Sequence, residues 1–242
     1  MDHERASRIT VKGAADFVTQ VDFLVQERMR SGLFDMYPQV QFMGEEKDNR
    51  DIDFSGAVWI LDPVDGTTNL IHDFRCSALS LALCDRGQME LGIIYQPYED
   101  ELFLAQRGKG AFLNGNPIHV SSVKDLGQSL ISIGTSPHNH DLADRNFEDI
   151  KRVFLKCSDI RRTGSAAVDL AYVACGRLDA YFERCLNPWD FAAGMLLIEE
   201  AGGRVTTLPA ERWMYPDHRI YCLPTAGLEF CWRMSCSLCD TV

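Results

Sequence analysis

Apolar residues at Val21, Leu24, Val25, Met29 and Leu33 recur at helical spacing, which predicts an amphipathic helix over 19–34 that Tyr37-Pro38 ends. The period then changes. Trp59-Ile60-Leu61 reads as the end of a buried strand, 78–84 and 91–95 as strands punctuated by Gly87 and Pro97, and 101–105, 108–112 and Asn114-Gly115 as a further hairpin. Residues 121–127 read as a connection. Beyond them the two periods interleave, with strands over 129–133, 179–183 and 204–208 and helices over 144–154 and 165–175. The run 191–201 is apolar nearly all round, which predicts a buried helix stopped by Gly202-Gly203. This order predicts an α+β half over 1–122 followed by an α/β half over 123–242.

Composition narrows the classes. A chain of 242 residues with 46% hydrophobic and 24% charged residues is an ordinary globular protein with a sizeable core. No apolar run approaches the roughly 20 residues of a membrane span, so no membrane partner is expected. Met1-Asp2-His3-Glu4-Arg5 lacks the apolar stretch of a secretory signal, and the expected compartment is the cytoplasm. Twenty-four basic against thirty-five acidic residues, a net charge of −11, argue against nucleic acid as a partner. A phosphate substrate of so acidic a protein needs bound cations to meet its charge. The nine cysteines show no disulfide framework. Cys76, Cys84, Cys157, Cys175 and Cys185 read as packing residues, whereas Cys222, Cys231, Cys236 and Cys239 include one Cys-x-x-Cys pair without the spacing of a zinc finger.

The candidate chemistry is concentrated in Asp62-Pro63-Val64-Asp65-Gly66-Thr67-Thr68-Asn69, where two acids meet a turn at a strand end and Thr67-Thr68-Asn69 can open a helix. Further acids beside turn signals are Glu45 and Glu46 after Gly44, and Asp190 after Trp189. Hard divalent cations take oxygen ligands, and two such ions about 4 Å apart can activate a water and stabilise a leaving oxygen. Read alone, Glu45 or Glu46 is a solvated loop acid and Asp190 an N-cap. Asp62 resists that reading, because it follows a buried strand and Asp65 repels it unless a positive charge lies between them. Thr67 either caps a helix or offers its hydroxyl and neighbouring N–H groups to a phosphate or an attacking water.

These residues resemble the two signatures of the inositol monophosphatase family of Mg²⁺-dependent, lithium-sensitive phosphatases. The first is the 62–69 run, and the second is Trp189-Asp190-Phe191-Ala192-Ala193-Gly194 followed by Glu200-Ala201-Gly202-Gly203. Gly44-Glu45-Glu46, the 16–22 segment after Lys12, the 110–115 segment and Gly164-Ser165-Ala166-Ala167 also resemble family segments. The resemblance implies a layered α-β-α-β-α sandwich shared with fructose-1,6-bisphosphatase, with the first half binding metal and the second supplying Asp190 and substrate contacts. It implies two to three Mg²⁺ ions. Glu45, Asp62 and the Val64 carbonyl hold one, Asp62, Asp65 and Asp190 a second, and a weaker third lies near Glu45, Glu46 being the poorer ligand. The nucleophile is then a water between Glu45 and Thr67. Asp22 orients Thr67, although Thr19 and Asp22 also have the spacing of a capping box. Gly66 and Thr67 hold the phosphate, and Asp65, Thr135, Gly164, Ser165, Ala166, Glu183 and Asp190 meet the alcohol. Glu183, at the end of a predicted strand, reads equally as a surface acid.

The expected reaction is hydrolysis of inositol monophosphate, by a homodimer acting on a small phosphate ester. Fructose 1,6-bisphosphate, a 3′-phosphoadenosine nucleotide and histidinol phosphate are rival substrates. A second phosphate needs basic partners, for which Lys12, Arg161 and Arg162 are the candidates. A haloacid-dehalogenase mechanism fits less well, since two residues rather than one separate Asp62 from Asp65, and a transcription-complex role beside the enzyme activity is the remaining alternative. The chain departs from the family in a leading helix that is short or missing before Lys12, in Val64 where isoleucine is common, and in its cysteine-bearing C-terminus.

Overall fold

In a computed structural model, the backbone is described for residues 9–13, 16–207 and 219–223, and side chains for 19–206. A short hairpin, β1 (Ile9–Gly13) with β2 (Asp16–Thr19), leads into helix α1 (Gln20–Met36). Thr19 caps α1: the Val21 N–H donates to its hydroxyl at 3.1 Å, and the Asp22 carboxylate reaches back to the Thr19 N–H at 2.9 Å.

Seven strands follow in one sheet whose spatial order is the chain order: β3 (Gln41–Gly44), β4 (Ala57–Asp65), β5 (Ala78–Asp85), β6 (Gln88–Gln96), β7 (Glu101–Gln106), β8 (Gly110–Leu113) and β9 (Asn116–Pro117). Only β3 and β4 pair in parallel. The alternation along β4 assigns its two faces. Trp59 and Leu61 pack with Leu33 of α1, whereas Val58 and Ile60 belong to the main core on the other side. The predicted strand end at Leu61 is too early. The strand continues through Asp62 and Pro63 to Asp65, with a register irregularity between Asp62 and Asp65 that accommodates a proline with no N–H to give the ladder.

After a 3₁₀ turn at Leu126–Gln128, a second sheet forms from β10 (Leu130–Ile133), β11 (Asp159–Arg161), β12 (Ala180–Arg184), β13 (Arg204–Thr207) and β14 (Arg219–Leu223), in the order β11-β10-β12-β14-β13. Between β4 and β5 lies the short helix α2 (Thr67–Ile71). In the second half come α3 (Ala143–Phe154), α4 (Ala166–Ala174) and α5 (Pro188–Glu200). Ile150 and Val153 of α3 pack with Ile131, Ile133 and Phe182 on the outer face of the small sheet. Helices α4 and α5 share one core cluster with Val58, Ile60 and Ile94 of the large sheet and Tyr181 of the small one. The layers are therefore α1, large sheet, α4 with α5, small sheet, α3, which is the expected layered sandwich. Among the described residues no helix is long and apolar enough to cross a membrane.

The expected buried helix is α5, in which Phe191 to Ile198 are all buried. It begins earlier than the apolar run, because Pro188 opens it and Asn187 is its N-cap. The sequence reading passed over β3 and β11, whose four and three residues are too short to show a period. Four of the five cysteines with described side chains do pack against the cores, but Cys185 is exposed at φ 60°, contrary to expectation. The side chain of Cys222, and Cys231, Cys236 and Cys239 entirely, lie outside the described residues, as do the side chain of Lys12 and the leading segment.

Two features at the middle layer bear on stability, in opposite directions. A Cβ on Gly92 of β6 would stand 2.6 Å from the Ala193 carbonyl oxygen, a backbone atom of α5 that cannot rotate away. We expect Gly92→Ala to lower unfolding free energy by about 2 kcal/mol in a urea titration. The second is Asp169 of α4, 2% exposed, which accepts from the Ser132 hydroxyl at 2.7 Å and ties the helix to β10. Burial pushes its pKa well above 3.8, against the opposing hydrogen bonds from Ser132 and Thr163. With a folded-state value above the unfolded one, the carboxyl costs nothing below pH 3.8, and its cost grows from there up to the raised value. Melting temperatures of Asp169→Asn and wild type, measured in chelator, should therefore diverge in favour of the variant as pH rises above 4 and converge below it.

Candidate active site

The end of β4, the N-termini of α2, α4 and α5, and the end of β12 enclose a cavity of about 290 Å³. Each places its acid for a local reason. Asp62 lies within the buried stretch of β4, 2% exposed, and its Oδ1 accepts from the Val64 N–H at 2.9 Å, which turns the strand and aims its carboxylate inward. Asp65 sits where the register resumes. Its Oδ2 accepts from the Ser165 hydroxyl at 2.6 Å and the Ala167 N–H at 2.5 Å, so the first turn of α4 is satisfied by an acid a hundred residues earlier. Glu45 follows β3 and is held in place through its N–H, which donates to the Leu61 carbonyl at 3.2 Å. Asp190 is not the N-cap of α5. It occupies the third helical position and closes a capping box, accepting from the Asn187 N–H at 2.6 Å.

Gathering these acids has an electrostatic consequence. Burial, followed by the charges of Glu45, Asp65 and Asp190, pushes the Asp62 carboxyl well above its ordinary value, and a hydrogen bond joins it to Glu45. Burial raises Asp65 to about 6, opposed by the Ser165 and Ala167 hydrogen bonds, with the Glu183 charge adding to the rise. Asp190 is also raised well above the ordinary range, by burial first and the Asp65 charge second. Among the described residues no three Asp, Glu, His or Cys side chains stand close enough to form a ready ligand cage. Mutual repulsion of unneutralised carboxylates opposes such a cage, and a hard cation removes that opposition. The donor set of Glu45, Asp62, Asp65, Asp190 and the Val64 carbonyl, all oxygen, fits Mg²⁺ in its chemistry.

Thr67 opens α2, but Gly66, at φ 89°, is the cap, so the Thr67 hydroxyl is not spent on the helix. Its Oγ1 lies 3.0 Å from both Asp22 Oδ1 and the Val64 carbonyl oxygen, either of which accepts its single proton. Asp22 is fully buried and serves both of its predicted uses: Oδ2 closes the α1 capping box while Oδ1 faces Thr67.

Glu45, Asp62, Val64, Asp65, Gly66, Thr67, Gly164, Ser165, Ala166, Glu183 and Asp190 all line the same cavity. Asp22 stands behind Thr67. Thr135 does not line the cavity, although its neighbours Gly134 and Ser136 do; its hydroxyl accepts from Arg162 Nε at 3.4 Å instead. Glu183 is turned into the cavity, not onto the surface. Glu46 lies outside it, with its N–H donating to Gln26 at 3.0 Å, and Arg161 pairs with Asp159 on the surface, so that of the basic candidates with described side chains Arg162 lines the cavity, beside Arg184, which the sequence did not single out. Sequence reasoning missed Asp169 and the Asn69 amide. The Asn69 amide donates to the Cys76 carbonyl at 2.6 Å and the Thr163 carbonyl at 2.8 Å, joining the 62–69 run to the 164–166 segment. Asp169 carried a signal, a single acid within the otherwise apolar and largely buried α4.

Comparison with known proteins places this arrangement. The Nus factor SuhB of Escherichia coli strain K12 is 42% identical over 195 residues, covering 81% of this chain and 73% of SuhB. An inositol-1-monophosphatase of Rhizobium meliloti is 41% identical over 200 residues, covering 81% of this chain and 74% of that protein. The crystal structure of the suppressor protein suhB from Bartonella henselae superposes with a TM-score of 0.89 at 34% identity, covering 97% of this chain and 90% of that one. The model of the inositol monophosphatase family matches residues 2–230. With a match of that extent, the chain belongs to the inositol monophosphatase family, whose members are metal-dependent phosphatases.

Proposed function

We propose that the protein is a Mg²⁺-dependent phosphomonoesterase that hydrolyses inositol monophosphate to inositol and phosphate. One observation carries this reading: the acids, Thr67 and the 164–166 segment, drawn from distant parts of the chain, face one cavity. Its volume of about 290 Å³ is enough for a single-ring ester.

Glu45, Asp62, Asp65, Asp190 and the Val64 carbonyl would hold the cations. When bound, these supply charge for the transferring phosphoryl group and lower the pKa of a coordinated water. The chain's own residues do the rest. Asp22, buried and fixed by the α1 cap, accepts the Thr67 proton and so leaves the Thr67 Oγ1 lone pairs to accept from the attacking water, with Glu45 as the second acceptor. The N–H groups of Gly66 and Thr67, at the opening of α2, face the phosphate oxygens. Ser165 and Ala167 hold Asp65 from behind, leaving its other oxygen toward the cavity.

The Nus-factor name of the Escherichia coli relative supports a second reading, a partner-binding role in transcription, which is compatible with an intact cavity. A turnover panel separates the readings and the substrates: inositol 1-phosphate, fructose 1,6-bisphosphate, a 3′-phosphoadenosine nucleotide and histidinol phosphate, each with Mg²⁺ and with chelator. We expect inositol 1-phosphate to be hydrolysed fastest, and only with Mg²⁺. Faster turnover of a bisphosphate would replace the substrate, and no turnover of any ester would replace the enzyme reading.

Asp62→Asn removes the charge shared by two cation positions. We expect it to lower kcat by at least about a thousandfold, a loss on the scale of removing a principal electrostatic contact in the transition state, and to weaken Mg²⁺ binding by calorimetry. Near-normal turnover in that variant contradicts the assignment. Lithium should inhibit the wild type, with inhibition relieved by raising Mg²⁺ if the two ions compete for one position.

A further inference from the structure

Glu183 is held in a manner unlike the other acids of the cavity. Its Oε1 accepts from the Ser136 N–H at 2.8 Å, and its Oε2 accepts from the Tyr181 hydroxyl at 2.5 Å. Tyr181 is 1% exposed and two residues earlier on β12, so its ring is locked in the middle core and its hydroxyl has little freedom to turn elsewhere. Ser136 is fixed in turn, its hydroxyl donating to the Arg184 carbonyl at 2.6 Å. The side chain of Glu183 then lies directly over Gly134, where an added Cβ would stand 1.9 Å from the Glu183 carboxyl carbon. No side chain other than hydrogen fits there while Glu183 keeps its place.

We propose that Tyr181, together with Ser136 and Gly134, is a positioning residue that clamps the Glu183 carboxylate as an acceptor for the hydroxyls of the substrate's alcohol, and so sets a preference for polyol phosphates over esters of simple alcohols. The proposal rests on the phosphatase reading above. A carboxylate offers about four lone-pair sites, and the clamp uses two, one on each oxygen. The remaining sites face the cavity as fixed acceptors, and a polyol hydroxyl meets them without the entropy loss of ordering a free glutamate. Burial and the adjacent Glu183 charge both keep the Tyr181 phenol protonated, so it stays a donor. The clamp asks nothing of a cation. It therefore acts on the leaving alcohol and not on the phosphoryl group.

The test compares inositol 1-phosphate with phenyl phosphate, whose alcohol carries no further hydroxyl, on the Mg²⁺-loaded protein. Tyr181→Phe keeps the ring in the core and deletes only the donor. It should raise KM for inositol 1-phosphate about fivefold, the loss of one ordered hydrogen bond, leave kcat within about twofold, and leave both constants for phenyl phosphate nearly unchanged. In a Glu183→Ala background the same change should add nothing. Gly134→Ala should match Glu183→Ala in its effect on inositol 1-phosphate, and the double variant should be no worse than either. A fall in melting temperature with no change in KM, or an equal rise in KM for both esters, overturns the clamp while leaving the phosphatase reading intact. Failure of the wild type to hydrolyse either ester overturns both.

Discussion

The site depends on a concentration of negative charge that the fold does not itself neutralise. Asp62 is buried beside Glu45, Asp65 and Asp190, and among the described residues the arginines of the cavity are Arg162 at its exposed wall and Arg184, which pairs with Asp149. Burying one unpaired carboxylate is unfavourable, and burying several together is more so. The chain manages part of this with oriented N–H groups. Val64 donates to Asp62, Ala167 to Asp65 and Asn187 to Asp190, and two of these donors lie at the N-terminal ends of α4 and α5, where the helix dipole favours an anion. What remains raises the proton affinity of Asp62, Asp65 and Asp190 above the ordinary carboxyl range. A divalent cation is the other way to meet it.

The middle layer makes that arrangement possible. Asp65 belongs to the large sheet and Asp190 to a helix that follows the small sheet, so their approach is set by how closely α5 lies on β6. Gly92 lets α5 approach β6, where a Cβ would strike the Ala193 carbonyl, and Gly194 lets α5 approach α4, where a Cβ would stand 2.5 Å from the Leu170 side chain. Ser80 adds a direct tie, its hydroxyl donating to the Trp189 carbonyl at 3.2 Å. Core packing and ligand placement are thus one constraint. A change in the interlayer spacing moves Asp190 relative to Asp62 without touching either acid.

How far the sequence reveals this depends on what kind of contact each residue makes. The two signatures, the buried α5 and the buried strand at Trp59-Ile60-Leu61 were legible, because apolar period and turn chemistry are local properties. Thr19 and Asp22 were legible as a cap and Asp22 as a partner of Thr67, but not that one carboxylate does both, since that needs one oxygen at Thr19 and the other at Thr67, 45 positions beyond Asp22. The extension of β4 through Pro63 was hidden by a residue that ordinarily ends strands. The N-cap reading of Asp190 taken alone fails because proline at 188 and asparagine at 187 already begin the helix. Thr135 was placed by a loose alignment, and its backbone neighbours, rather than its side chain, reach the cavity. Asp169 and the Asn69 bridge were missed because their partners, Ser132 and Thr163, become neighbours only when the layers close.

The two ends of the cavity are built on different principles. The phosphate end collects acids whose charges remain in conflict until a cation arrives, so its geometry and its chemistry are linked to metal occupancy. The alcohol end is completed by neutral donors, with the Tyr181 hydroxyl and the Ser136 N–H holding Glu183 in place before any ligand binds. On the proposed function, the first end would govern the reaction and the second the choice of alcohol. The Glu183 charge still reaches Asp65 and Asp190, but the groups that hold Glu183 at Gly134, Ser136 and Tyr181 are different from those that hold these acids. Such separability is what a family with one chemistry and several substrates requires of its fold.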